Sequence, residues 1–176
     1  MPTSLRARPE TTEYASFFHK YISSVPDGDV VTLLRESGRE IVDALKSVPE
    51  SRGGFRYGEG KWSIREVVGH LSDAERVFSY RAMRIARGDA TPLPPFDENT
   101  YVPNSGAEAR TLANLIAEFA TTRESTAMLL ESLPEEAWVR RGIVSGKEIS
   151  VRAIAYVLVG HPLHHLRILR ERYEVG

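Results

Sequence analysis

Four long stretches of helical periodicity constrain the fold of this chain more than any other feature of its sequence. In each stretch, apolar residues recur at i, i+3, i+4 and i+7, the spacing that places them along one face of an α-helix. The stretches cover residues 30–48, 64–88, 112–133 and 150–170. Strand-like alternation is nearly absent, apart from a weak hairpin pattern at residues 143–149. The sequence therefore predicts an all-α protein built as a four-helix bundle.

A shorter pattern precedes the four stretches. The apolar residues between Tyr14 and Tyr21 have helical spacing and predict a short extra N-terminal helix. Residues 1–10 lack any such pattern, so we expect them to form a loose arm. A chain of 176 residues with one set of bundle helices is predicted to be a single domain that spans residues 1–176.

Capping residues mark the starts of the predicted helices. Ser63 and Glu66 fit a capping box, in which each side chain bonds the backbone amide of the other residue. Ser150 holds the N-cap position of the last stretch, and Asp27 or Asp29 that of the first. Residues 89–106 contain four prolines and no periodicity, which is typical of either a lid or a strap across one end of the bundle.

Three of the five histidines lie close together in the last stretch. His161 and His165 have i, i+4 spacing, so a helix places both imidazoles on one face. This face is the inward one, where polar rings without partners are costly, so the pair indicates either a metal site or buried histidines that are hydrogen-bonded and paired by chance. His70 borders the apolar stripe of the second stretch and is the candidate third ligand.

The remaining candidates are weaker. His164 lies about 100° around the helix from His165 and is not expected to share its metal. Asp73 follows His70 by one turn, and we consider it as a second-shell candidate that bonds a ligand imidazole or a metal-bound water. Solvent exposure is the competing interpretation of Asp73. Pro162 is unusual in a helix interior because it lacks an N–H, and it predicts a kink beside the histidine pair.

Composition and spacing exclude several classes of function. A net charge of -1 argues against a nucleic-acid surface, and the absence of cysteine excludes thiolate ligands and a cysteine nucleophile. No apolar run is long enough for a membrane span and no signal core is present, which favours a cytoplasmic location. Position 162 is proline rather than glutamate, so the HExxH mechanism does not apply. A di-iron carboxylate site lacks the inward glutamates that it needs.

Four segments together resemble the DinB superfamily, namely residues 61–76, 87–94, 150–153 and 160–167. The resemblance implies a four-helix bundle that holds a divalent metal through three histidines, carried over here to His70, His161 and His165. It also implies a homodimer. Members that the chain resembles include bacillithiol S-transferases and the mycothiol-dependent maleylpyruvate isomerase, whereas the family name implies no DNA binding.

These observations predict a metal-dependent enzyme that acts on a small molecule, with neither nucleic acid nor membrane as partner. Three imidazole ligands suit Zn²⁺ or Ni²⁺, with Fe²⁺ as a further possibility, and they leave a coordination position open, as in catalytic sites. The resemblance implies transfer of a low-molecular-weight thiol. The alternatives are a hydrolase and a metal- or ligand-binding stress-response protein without turnover. The residues assign no catalytic role beyond the ligands.

Overall fold

The computed structural model describes residues 5–176 and has the predicted helical architecture. The helices are α1 (His19–Ile22), α2 (Val30–Lys46), α3 (Ile64–Ala86), α4 (Glu98–Asn104), α5 (Leu112–Glu131) and α6 (Val151–Tyr173). A hairpin of β1 (Arg141–Val144) and β2 (Lys147–Ser150) lies between α5 and α6. Helices α2, α3, α5 and α6 form the bundle, and none of the helices within residues 5–176 combines the length and apolar character of a membrane crossing.

The predicted caps start three of the bundle helices. The Ser63 hydroxyl accepts from the Glu66 amide at 3.1 Å, and the Glu66 carboxylate accepts from the Ser63 amide at 2.8 Å, which completes the capping box of α3. Asp29, rather than Asp27, caps α2 by accepting from an amide of its first turn. Ser150 caps α6 in the same way. Local sequence therefore fixes where these helices begin.

Neighbouring helices run parallel on two sides of the bundle. Arg170 of α6 pairs with Glu40 of α2 at 2.9 Å, and Arg52, just after α2, donates to the carbonyl of Tyr173 at the end of α6 at 2.8 Å. These contacts join like ends of α2 and α6. Helix α3 likewise runs parallel to α5, because the residues that precede both helices meet near Ser63 and Arg76 of α3 pairs with Glu118 of α5.

The order of the helices follows from these directions. Helices α2 and α3 each pack against both α5 and α6, so consecutive α2 and α3 lie diagonally across the bundle. Along the chain the four helices point up, down, down and up. Parallel neighbours cannot be joined by a short turn, so the chain between α3 and α5 must return along the length of the bundle.

Residues 87–111 form this return strap and run back along α3. Arg81 donates to the carbonyl of Pro94 at 2.7 Å, the rings of Phe78 and Phe96 lie 6.2 Å apart, and Ala107 packs against Gly69. The strap therefore lies lengthwise rather than across one end. It also contains α4, which its prolines hid from the sequence analysis.

The core consists of two hydrophobic clusters that meet in the middle of the bundle. On α6 the first cluster ends at Val159 and the second begins at Leu166. On α3 the corresponding boundary lies between Leu71 and Ala74. His161 and His165, predicted to lie within the inward stripe of α6, fall between the two clusters, and His70, predicted to lie beside the stripe of α3, is next to Leu71 at the edge of the second cluster.

The N-terminal region is held more tightly than the sequence predicts. Arg8 donates to the carbonyls of Ile22 and Val25 at 2.7 and 2.6 Å, so residues 5–10 pack against the protein instead of forming a loose arm. Residues 1–4 of that predicted arm lie outside the described residues. The short extra helix is present, but it consists of 3₁₀ turns at Thr11–Glu13 and Ser16–Phe18 followed by α1.

Candidate metal centre

His70 projects from α3 into the boundary between the two core clusters. It lies in the second turn of the helix that the Ser63 capping box starts, so its position follows directly from the local sequence. The side chain is buried, and its ring lies 4.9 Å from the ring of Trp62, centroid to centroid. The residue just before the helix thus helps to fix the orientation of the imidazole.

His161 and His165 reach the same place from α6. Their Nε2 atoms are 3.1 Å apart, and the Nε2 atom of His70 lies 3.2 Å from that of His161. Ligand atoms from all three histidines lie within 4.8 Å of one another. The structure therefore brings together the three histidines that the sequence singles out, from helices that are far apart in the chain.

The spacing of the nitrogens fits a single metal ion. Nitrogen ligands about 2.0–2.1 Å from a tetrahedral Zn²⁺ lie about 3.3–3.4 Å from one another. The two shortest Nε2 separations, 3.2 and 3.1 Å, are close to this value. Hydrogen bonding alone explains the cluster less well, because the Nε2 of a neutral His161 has one lone pair or one proton for two close neighbours. The donor set suits a divalent ion.

The three imidazoles are neutral at neutral pH. Burial lowers the pKa of His70 from 6.5 to about 4. Burial also lowers the pKa of His161 and His165 well below 6.5, and the neighbouring imidazoles lower both further. Neutral imidazole is the form that coordinates metals, so the protein supplies ligands that do not need to lose a proton first.

The other two histidines lie outside the cluster. His164 contacts Tyr21 at 5.5 Å between ring centroids, and its Nδ1 lies 3.3 Å from the Arg167 guanidinium. His19 is exposed and lies beside the Tyr14 hydroxyl at 3.2 Å. The exclusion of His164 from the ligand set agrees with this geometry.

The structure does not bring Asp73 to the imidazoles. Its carboxylate lies 3.6 Å from Arg76, and the charges that influence it belong to Arg76 and to residues of α5 and the strap. Burial raises the pKa of Asp73, and Arg76 opposes this rise. Three residues rotate a helical side chain by about 60° from His70, which is enough to turn Asp73 toward α5. The Asp73 carboxylate is therefore paired with Arg76, and its contact with a metal-bound water stays a prediction.

A cleft of about 260 Å³ opens onto the cluster at His165. Its lining combines aromatic and polar side chains, including Tyr57, Lys61, Trp62, Asn99 and Tyr173. Asn99 belongs to α4, so the strap forms one wall of the cleft. An apolar groove of about 490 Å³ between α2 and α5 is larger but contains none of the three histidines. Of these two, only the smaller cleft reaches the histidine cluster.

Sequence reasoning missed a buried ion pair below the histidines. Arg123 of α5 lies 3.3 Å from Glu75 of α3, and both side chains are buried. Burial raises the pKa of Glu75 while Arg123 opposes it. The helical pattern of α5 could have indicated that Arg123 is buried, because Arg123 follows Phe119 by one turn on the inward side of the helix.

Comparison with known proteins agrees with the fold. Residues 33–169 match the model of the DinB superfamily. A Bacillus licheniformis protein named putative metal-dependent hydrolase is 28% identical over 139 residues, which cover 76% of this chain and 73% of the relative. The Bacillus subtilis protein of the same description, YfiT, is 25% identical over 145 residues, 80% of each chain.

The solved structure of YfiT superposes on this chain with a TM-score of 0.75 and 17% identity, covering 99% of this chain and 100% of the other. That structure is described as a probable metal-dependent hydrolase with an unusual four-helix bundle topology. The superposition shows that the two chains share a fold. Together with the match over most of its length, it establishes that this chain belongs to the DinB superfamily.

Proposed function

We propose that this protein is a metal-dependent hydrolase whose divalent ion is held by His70, His161 and His165. The observation that supports the proposal most strongly is the convergence of three neutral imidazoles, two of them buried and that of His165 half-buried, at spacings that match metal ligands. Three nitrogen donors without thiolate or carboxylate suit Zn²⁺ or Ni²⁺ best and also accept Fe²⁺.

Three protein ligands leave room in the coordination shell for a reactant. When bound, the ion supplies Lewis-acid chemistry, which lowers the pKa of a water or thiol at the open position. The protein positions that reactant through the cleft at His165, where Trp62 and Tyr57 offer apolar rings and Lys61 and Asn99 offer polar contacts. A cleft of about 260 Å³ accommodates a small molecule.

The names of three relatives support water as the nucleophile, because each is named putative metal-dependent hydrolase and a hydrolase uses water to cleave its substrate. The thiol transfer implied by the resemblance differs from hydrolysis only in its nucleophile, which is a thiol instead of water. Since the chain contains no cysteine, the thiol would have to enter as a second substrate. The two reactions are therefore separated by adding or omitting a low-molecular-weight thiol.

The test begins with the purified protein, its metal content, and its activity before and after chelation. Chromogenic esters, amides and phosphoesters measure hydrolysis, and a thiol with an aromatic electrophile measures transfer. We expect hydrolysis that chelation abolishes and Zn²⁺ or Ni²⁺ restores. Turnover that requires the thiol would assign the protein to the transferases instead.

Matched variants connect the activity to the site. We expect His161→Gln to reduce both metal content and hydrolysis to background, because it removes a ligand from the centre of the cluster. His164→Gln changes a neighbouring imidazole outside the cluster and should retain both. Full metal content in His161→Gln would overturn the proposed site, and stoichiometric metal without turnover of any substrate would favour a binding protein.

A further inference from the structure

Pro162 lies between the two ligands of α6, yet the helix continues through it from Val151 to Tyr173. Proline has no backbone N–H, so the carbonyl of Leu158, four residues earlier, loses its helical hydrogen bond. The turn that this carbonyl belongs to also carries His161. An unpaired carbonyl in the core would be destabilising and would loosen that turn.

Arg123 of α5 supplies the missing donor. Its Nη1 donates to the Leu158 carbonyl oxygen at 2.8 Å in the buried core. Its Nη2 lies 3.3 Å from Glu75 of α3, which balances the buried charge. The planar guanidinium thus spans two partners on two helices, an arrangement that a single ammonium group cannot reproduce.

Helix α2 is adapted to the same side chain. A methyl group at Gly38 would lie 2.8 Å from Cγ of Arg123, so glycine makes room for the arginine despite its low helix propensity. All four bundle helices therefore contribute to one layer beside the histidines. Helix α5 carries the guanidinium, α3 and α6 supply its two polar partners, and α2 leaves the space for its side chain. A buried ion pair is often no more stable than an apolar replacement, so stability alone does not account for this layer.

We propose that Arg123 is a positioning residue for the metal site, replacing the backbone donor that Pro162 removes and thereby holding the turn that carries His161. The proposal rests on the proposed metal-binding function. It predicts that the importance of Arg123 for metal affinity depends on the proline, because an amide at position 162 would bond the Leu158 carbonyl by itself.

A double-mutant cycle tests this dependence. The variant Glu75→Met/Arg123→Met removes both buried charges together, and it is made with Pro162 and with Pro162→Ala. Co²⁺ affinity and the Co²⁺ absorption spectrum report on the site, while amide hydrogen exchange in α6 reports on the turn. We expect the charge-free pair to lower affinity about tenfold with Pro162 and less than about twofold with Pro162→Ala, with exchange following the same pattern.

A second variant guards against a general packing defect. Arg123→Lys keeps the positive charge beside Glu75 but lacks the fork, so it should show the same dependence on Pro162. Equal losses of affinity in both backgrounds, or no loss in either, would overturn the role of Arg123 alone. A wild-type protein that binds no Co²⁺ would overturn the proposed metal function and this role with it.

Discussion

The clustered imidazoles owe their neutral state to burial, which is nearly complete for His70 and His161 and partial for His165. His161 is 8% exposed and His70 is 4% exposed, so protonation of either would bring a charge into the core. The proximity of the rings makes a second charge harder still to accommodate. In this neutral form, each imidazole has a nitrogen lone pair that can bind a cation.

A substitution of Asp73 tests whether this carboxylate contributes to metal binding by the imidazoles. Because its carboxylate contacts Arg76 rather than His70, we expect Asp73→Asn to change metal affinity by less than about twofold, compared with the 10–100-fold typical of a lost outer-shell partner. Isothermal titration with Zn²⁺ measures the difference. His70→Gln is the matched variant on the same helix and should bind far more weakly. A tenfold loss in Asp73→Asn would contradict the geometry described for this carboxylate.

Residue spacing was sufficient to identify the histidines but not their supporting groups. An i, i+4 pair on a helix face is a local property, and so is the place of His70 beside an apolar stripe; the resemblance implies the same three residues. The partner of the Leu158 carbonyl is a property of three-dimensional proximity, since Arg123 comes from another helix. A proline inside a helix signals that some donor is needed, but it does not indicate which one.

At the scale of elements, the contact between α1 and α6 is closer than side chains normally allow. Gly160 of α6 lies directly beneath the backbone of α1, and a methyl group there would be 2.1 Å from the Tyr21 carbonyl oxygen. The ring of Tyr21 in turn packs against His161, with 5.4 Å between centroids. The short N-terminal helix thus covers one side of the histidine cluster.

We expect Gly160→Ala to reduce the free energy of unfolding by about 1–3 kcal/mol, because α1 must move away to accept the methyl group. This loss should appear despite the gain in helix propensity of about 1 kcal/mol that alanine brings. Urea unfolding followed by circular dichroism measures it. Gly69→Ala is the control in another helix, where the methyl group would meet the Ala107 side chain at 3.1 Å. Equal stability of the two variants would contradict the close contact at Tyr21.

The starts of the helices could be predicted because capping is a local interaction. Ser63 and Glu66 are three residues apart, and each satisfies a backbone amide of the other. Helix α4 was missed because Pro103 lies inside it, although it is held by its contacts with α3 rather than by its own propensity. Short elements that depend on tertiary packing leave little trace in the sequence.

At the scale of the whole molecule, the buried histidines link stability to pH. The folded-state pKa of His70, about 4, lies below its ordinary value of 6.5, so the unfolded chain binds more protons between these two values. The contribution of neutral His70 is complete above about pH 6.5 and is lost as the pH falls toward 4. Bound metal would delay the loss, because it competes with protons for the same nitrogens.

In chelator-treated protein, we expect wild type to lose stability relative to His70→Gln as the pH is lowered through this range, by up to about 1.4 kcal/mol per pH unit. Urea unfolding at several pH values provides the comparison. The difference between the two proteins reports on His70 together with its effect on His161 and His165, because Glu75 and Asp73 titrate in both. Parallel stability curves between pH 4 and 6.5 would show that His70 is not buried in its neutral form.

The arrangement of the helices could not be derived from their stripes. Each bundle helix has an apolar face, but such a face does not specify which neighbour it meets or in which direction. The up, down, down, up order depends on distant contacts such as Arg170 with Glu40, and on a strap that follows α3. An irregular segment such as residues 87–111 determines the topology without any periodic signature of its own.

This topology also sets the order of events during protein synthesis. The ribosome makes α3 with His70 early, whereas His161 and His165 emerge only with α6, after the strap, α5 and the hairpin. If these three histidines hold an ion as proposed, a nascent chain without α6 has only one of the three ligands and would not retain it. Metal uptake would then follow completion of the bundle, so a bound ion would distinguish finished molecules from interrupted ones.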